Sequence, residues 1–172
     1  TFLKVPAGEK LMRIASGANG DDYNWTEVMM RDASSAFDGI GVHYYTVPGP
    51  WEKKGPATGF DEEAWARTLS KTLKMDELLT RHSAIMDRYD PKKEIALAVD
   101  EWGAWFASEK DAPSQLYLES TLRDAVIAGH SLNIFNRHAD RVRMANVAQM
   151  VNVIQSLILT RGEKMVVTPT YH

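Results

Sequence analysis

Apolar and polar positions along this chain repeat with two periods, and the switches between them mark its elements. Leu11-Met12-Arg13-Ile14-Ala15-Ser16-Gly17 reads as a short strand. From Thr26 to Phe37, the residues Val28, Met29, Ala33, Ala36 and Phe37 recur at three- and four-residue steps, which predicts a helix. Asp38 to Tyr45 reads as a second strand, and Gly39 and Gly41 at alternate positions allow close packing on one of its faces. A loop rich in Pro and Gly follows, from Pro48 to Gly59. Asp61 suits a helix N-cap, with Glu62 and Glu63 in the first turn, where the helix dipole favours anions. No Gly or Pro interrupts the chain from there to Asp90, so one long helix or two stacked ones are expected, ended by Pro91.

Glu94 to Trp102 is the clearest strand. Its continuous apolar run from Ile95 to Val99 fits a parallel strand covered on both faces. After a loop from Ala107 to Pro113, the pattern predicts a helix over Ser114–Ala128 stopped at Gly129, a fourth strand over Ser131–Asn136, and a periodic helix over Asp140–Leu159. In that last helix Val147, Val151, Ile154 and Ile158 face inward, and Asn146, Gln149, Asn152 and Gln155 form a polar stripe, by default a solvated face. Gly162 ends it, and Met165-Val166-Val167 opens a further strand.

Strands alternating with helices mean an α/β fold with a parallel sheet. Two topologies fit about four βα units: an open doubly wound sheet, or half of a (β/α)8 TIM barrel, which needs roughly 250 residues when complete. With 172 residues, 44% hydrophobic and 25% charged, the composition is that of a soluble globular domain. The net charge of −3 argues for neither nucleic acid nor an anionic membrane as partner. No run reaches the ~18 apolar residues of a membrane span. The absence of Cys excludes disulfides, thiolate metal sites and cysteine nucleophiles. The chain begins at Thr1 without a leader pattern, which suggests a processed chain or a fragment.

Polar residues narrow the chemistry. His43-Tyr44-Tyr45, Asp100-Glu101-Trp102 and the segment Asn133–His138 fall at expected C-terminal strand ends, where βα barrels collect their chemistry. Strands disfavour Asp and Glu, and an unpaired buried carboxylate is costly, so the Asp100–Glu101 pair needs a partner. A salt-bridged strand end accounts for that pair as well as catalysis does. A satisfied core histidine is the plainer reading of His43, and core packing that of Trp102, Trp105 and Phe106. Phosphate-loop, dinucleotide, His-Glu-x-x-His and Gly-x-Ser-x-Gly motifs are all missing.

Four segments in order resemble glycoside hydrolase family 51, the α-L-arabinofuranosidases. Val99-Asp100-Glu101-Trp102-Gly103-Ala104-Trp105 resembles the family's nucleophile motif. Phe37 to Thr46, Asn133 to Val142 and Met144 to Val153 agree with it in register, and the closing Gly162–Val166 with Thr168–His172 also fits. The resemblance implies that residues 1–172 are the C-terminal half of the catalytic barrel, strands five to eight. The N-terminal half and the following β-sandwich would lie outside the chain.

The family's members are retaining glycosidases, which use two carboxyl groups about 5–5.5 Å apart. By the resemblance Glu101 is the nucleophile. His43 and Tyr45 line the pocket, Tyr45 touching Glu101 or the sugar ring and His43 neighbouring the carboxylates. Gln149 contacts the furanose, against the default of a solvated stripe. Trp105 is an aromatic wall, Trp102 is packing, and Asp100 is structural support. The family's acid/base Glu follows an Asn, and no Asn-Glu pair occurs here. The implied partners are therefore arabinofuranoside oligosaccharides or polysaccharide side chains, the missing N-terminal half-barrel with the acid/base Glu, and further copies in a homo-oligomer. No cofactor is implied, and a bacterial cytoplasmic location fits better than secretion. The isolated chain is expected to be inactive. Two alternatives stand: a related retaining β-xylosidase or endoglucanase, and a non-catalytic half-barrel for sugar binding or assembly.

Overall fold

The computed structural model describes residues 11–112 and 114–172. Pro113, the expected end of the second loop, lies outside them. Four strands form one parallel sheet in chain order: β1 (Ile14–Asn19), β2 (Gly39–Thr46), β3 (Ala96–Ala104) and β4 (Val142–Val147). Helix α1 (Tyr23–Ala33) joins the first two strands, α2 (Glu62–Thr72) and α3 (Lys74–Tyr89) the next two, and α4 (Leu122–Arg137) the last two. The order never reverses among the described strands, so the switch point that defines a doubly wound sheet does not occur in them.

Helix starts are set by local chemistry. Asp22 accepts a hydrogen bond from the Trp25 amide at 3.1 Å, and Asp61 accepts from the Ala64 amide at 2.8 Å, as its sequence position suggested. The uninterrupted stretch to Asp90 is two helices that meet at Leu73. Strand alternation then sorts the side chains. Ile40 and Val42 of β2 and Leu97 and Val99 of β3 bury one face against Met30 of α1, Met75, Leu79 and Met86 of α3, and Ile134 and Phe135 of α4. The other face is built from Gly39, Gly41, Ala96 and Ala98, small residues that leave the backbone close to whatever covers them.

The N-terminal ends of the strands are clamped by charge. Arg141, fully buried just before β4, donates to the Asp90 carboxylate at 2.7 Å and to the carbonyls of Ile95 at 3.0 Å and Asp90 at 2.9 Å, and it pairs with Asp87. Burial works against the Asp90 carboxylate. The amides of Ile95 and Glu94 and the Arg141 guanidinium outweigh it and hold that carboxyl below its usual range.

The second half of the chain departs from the expected elements. The expected helix over Ser114–Ala128 and strand over Ser131–Asn136 are replaced by the single helix α4, Leu122–Arg137. A capping box sets its start: Thr121 caps the first turn while Asp124 accepts from the Thr121 amide at 2.8 Å. Gly129 does not stop it, because an interior Gly costs only about 1 kcal/mol against Ala, and the packing of Ile127, Ala128, Ile134 and Phe135 on either side outweighs that. Asn133 to His138 therefore ends a helix rather than a strand, and His138 pairs with Asp76 at 2.8 Å. The expected helix over Asp140–Leu159 is instead β4, a loop, and strand β5 (Ile158–Arg161). Asn152 and Gln155 have φ of 57° and 53°, which no right-handed helix contains. The first strand lies slightly later than expected, at Ile14–Asn19. Met165-Val166-Val167 does fall in a strand, β6 (Lys164–Val167), but it pairs antiparallel with β5 around Gly162 and stays outside the main sheet.

Gly129 is exposed inside α4, and a Cβ there would meet nothing within 4 Å. Gly129→Ala is expected to stabilise the protein by about 0.5–1 kcal/mol in chemical denaturation. A loss of stability would contradict the continuous helix.

Candidate active site

The candidate site is made by one irregularity in the sheet. Strands β2 and β3 pair in step from Gly39 opposite Ala96 to Val42 opposite Val99, and His43 then stands opposite Glu101. Asp100 is the extra residue, a β-bulge. Its effect shows in the packing. Val99 and Trp102 both belong to the helix-side core although they are three positions apart, which strict alternation does not allow. The bulge takes Asp100 and Glu101 off that face together. Glu101 thereby reaches the face that carries Gly41, His43 and Tyr45.

Tyr45 donates its phenolic hydrogen to Glu101 Oε1. Burial, reinforced by this bond and by the carboxylate charge, pushes the Tyr45 phenol well above the usual tyrosine range. Tyr44 points the other way and donates to the Lys71 carbonyl at 3.0 Å, and burial pushes it up to about 12. Asp100 is packed over Gly41, where a Cβ would come within 2.2 Å of its Oδ2 and push the carboxyl aside. Burial pushes the Asp100 carboxyl up, opposed by His43, and its Oδ1 is buried without a hydrogen bond. His43 Nδ1 lies 3.9 Å from that oxygen, beyond hydrogen-bond reach. His43 is thus a neighbour of Asp100 more than of Glu101.

Trp105 stands edge-on to Tyr45, with ring centroids 5.1 Å apart and planes at 69°. Trp102 is 4% exposed and packs edge-on against Phe135 at 5.2 Å, a core residue as expected. Gln149 is not on a helix. It lies exposed just past β4, in a segment tied to β3 by the bond from the Ala148 amide to the Trp102 carbonyl at 2.9 Å. All five residues singled out in the sequence therefore stand at the carboxyl ends of β2, β3 and β4.

Two contributors escaped the sequence reading. Gln155, placed above on a solvated helix face, is buried and fully satisfied. Its oxygen accepts from the Ala104 amide at 2.7 Å, and its nitrogen donates to the Asp124 carbonyl at 3.1 Å and to Thr170 Oγ1 at 3.0 Å. It stitches the end of β3 to α4 and to the chain's last turn. Its three-residue spacing from Asn152 imitated a helix stripe and hid it. Trp51, in the Pro/Gly loop, packs against Trp105; its proximity in sequence to the end of β2 was the available signal. Among the described residues, no three His, Asp or Glu side chains converge to hold a metal ion. A separate surface groove lined by Thr58, Glu109, Tyr117 and Arg161 shares none of the site residues.

A parallel sheet whose carboxyl edge gathers a carboxylate, a phenol bonded to it and an indole beside them has the architecture of an α/β enzyme site. Comparisons narrow the class. Residues 100–172 match the family described as the α-L-arabinofuranosidase C-terminal domain. An intracellular exo-α-L-arabinofuranosidase of Bacteroides ovatus is 46% identical over the full length of this chain. The crystal structure of the family 51 arabinofuranosidase from Xanthomonas axonopodis pv. citri superposes on 99% of the chain with a TM-score of 0.95 and 58% identity. The Thermotoga maritima α-L-arabinofuranosidase, solved with arabinose, superposes on 95% with a TM-score of 0.72 and 26% identity. Over its full length the chain is thus similar to α-L-arabinofuranosidases, those of glycoside hydrolase family 51 among them. It spans about a third of these relatives: 34% of the Bacteroides protein, 35% of the Xanthomonas chain and 30% of the Thermotoga chain.

The hydrogen bond between Tyr45 and Glu101 has an optical consequence. In a spectrophotometric titration up to about pH 11, Tyr45→Phe is expected to show the same phenolate absorbance as the unaltered protein, because Tyr45 stays protonated. Loss of one tyrosine's amplitude in the variant would show that Tyr45 ionises normally and does not donate to the carboxylate.

Proposed function

We propose that the chain is the C-terminal half of the (β/α)8 catalytic barrel of a retaining α-L-arabinofuranosidase and carries its nucleophile, Glu101. The observation that carries the reading is Glu101 itself. It is turned by a bulge to the carboxyl edge of a parallel sheet and held there by the Tyr45 hydroxyl, in a chain 46% identical throughout to an exo-α-L-arabinofuranosidase. The unreversed strand order and the one-sided helix packing support the half-barrel reading.

In this mechanism the Glu101 carboxylate attacks the anomeric carbon of a terminal arabinofuranosyl group. The glycosidic bond breaks, and the leaving oxygen takes a proton from a carboxylic acid on the other half of the barrel. Water, deprotonated by that same group, then attacks the anomeric carbon of the glycosyl ester; its bond to Glu101 breaks, arabinose is freed and the Glu101 carboxylate is regenerated. Tyr45 fixes the carboxylate's orientation and shares its charge through a charge-assisted bond. Trp105 walls the sugar, His43 and Gln149 offer polar groups to its hydroxyls, and Asp100 supports the bulge. Two carboxyl groups and water suffice, so no cofactor is needed. The substrates are arabinofuranosides from hemicellulose side chains. The name of the Bacteroides relative supports an intracellular location. With the acid/base carried elsewhere, the 172-residue chain alone is expected not to turn over.

Glu101→Ala in the full-length enzyme is expected to lower kcat on an aryl arabinofuranoside by at least about 10⁴-fold. Azide should restore turnover and give the glycosyl azide of inverted configuration. An active variant, or rescue with retained configuration, would overturn the assignment. An aryl xyloside cleaved faster than the arabinofuranoside by the unaltered enzyme would overturn the substrate.

A further inference from the structure

The aromatic series that begins at Glu101 extends beyond the pocket wall. Tyr45 is bonded to Glu101, Trp105 stands edge-on to Tyr45 at 5.1 Å, and Trp51 stands edge-on to Trp105 at 5.1 Å with planes at 77°. Glu101, Tyr45 and Trp105 are half-buried, and Trp51 at the outer end is 52% exposed. An indole joins a large apolar face to a polar N–H, which suits it to a surface that is apolar on one side and wet on the other.

This indole is held in place. Lys54 donates to the Trp51 carbonyl at 2.9 Å, and its ammonium lies 4.4 Å from the Trp51 ring centroid and 5.2 Å from that of Trp105. The turn that carries Trp51 closes through the bond from the Lys53 amide to the Pro50 carbonyl at 2.8 Å. Gly49 permits that turn, because a Cβ there would meet the Lys53 carbonyl oxygen at 2.1 Å. Lys71 donates to the Gly49 carbonyl at 3.1 Å, and the Ala107 amide donates to the Gly55 carbonyl at 2.8 Å. Behind them the Arg123 guanidinium, sandwiched between the rings of Phe60 and Phe106, donates to the Pro56 carbonyl at 2.9 Å. A loop so rich in Pro and Gly is thereby rigid, and a rigid exposed aromatic binds with little loss of conformational freedom.

We propose that Trp51, set by Lys54 and Trp105, is the platform for the sugar ring of the leaving group, the first saccharide unit beyond the bond that is cleaved. The inference rests on the arabinofuranosidase reading above. In that reading the terminal furanose enters against Glu101, Tyr45 and Trp105, so the rest of the saccharide points outward along the same series. The C–H face of a sugar ring is apolar and flat enough to pack on an indole, while its hydroxyls stay within reach of the Lys54 ammonium and of water. Trp51 selects saccharide leaving groups over small ones.

The test uses the full-length enzyme and two substrates: methyl α-L-arabinofuranoside, whose leaving group has no ring, and an arabinofuranosyl oligosaccharide. Trp51→Ala is expected to lower the ratio of kcat/KM for the oligosaccharide over the methyl glycoside by about 10-fold, mainly through the oligosaccharide KM. Trp51→Phe should recover part of the ratio. Glu52→Gln, on the same turn and outside the series, should leave it where it is. A Trp51→Ala enzyme with an unchanged ratio, or with both substrates reduced equally, would overturn the platform while leaving the arabinofuranosidase reading intact. An unaltered enzyme that cleaves neither substrate would overturn that reading, and the platform with it.

Discussion

The bulge at Asp100 is the constraint on which the site depends. A β-strand can present a residue to one face only, and β3 has two demands on it. Val99 and Trp102 must both enter the helix-side core, and Glu101 must reach the opposite face beside Tyr45. One extra residue satisfies both. The cost falls on Asp100, whose half-buried carboxyl sits over Gly41 with one oxygen, Oδ1, buried and unpaired. Burial there pushes the Asp100 carboxyl up, against the pull of His43. Gly41, Asp100 and Glu101 therefore form one structural unit across two strands.

Stability and chemistry occupy opposite ends of the sheet. At the N-terminal ends, Arg141 and Asp90 form a buried, multiply bonded pair that locks α3 and the entries to β3 and β4. Removing either partner leaves an uncompensated charge, which typically costs about 3–5 kcal/mol. At the C-terminal ends the polar groups are half-exposed and less densely bonded, which leaves them open to a ligand. Gln155 and Arg123 brace this edge from behind. The first ties β3 to α4, and the second ties α4 to the loop that carries Trp51.

Much of the first half of the fold was legible because local signals there agree. Asp61 is a true cap, the apolar run before Asp100 is a true buried strand, and the breakers between Pro48 and Gly59 form a true loop. The second half misled because its signals conflict. Gly129 looks like a stop but sits in a helix started by the Thr121–Asp124 box. The run from Asn146 to Gln155 has a helical period but contains two residues with positive φ whose side chains bond backbone groups, Asn152 the Thr160 amide and Gln155 the Ala104 amide and Asp124 carbonyl. His43, Tyr45, Glu101, Trp105 and Gln149 were singled out by a motif resemblance that does not depend on secondary structure. The bulge that orients Glu101 left no mark in the sequence, because an inserted residue shows only against its partner strand.

The central claim is that Glu101 forms the covalent bond to the sugar. The most direct measurement is covalent capture. The full-length enzyme is inactivated with an electrophilic arabinofuranose mimic, digested, and the labelled peptide sequenced by mass spectrometry. The account expects one ester-linked label, on Glu101 in the peptide that contains Asp100-Glu101-Trp102. A stoichiometric label on any other carboxylate would contradict it.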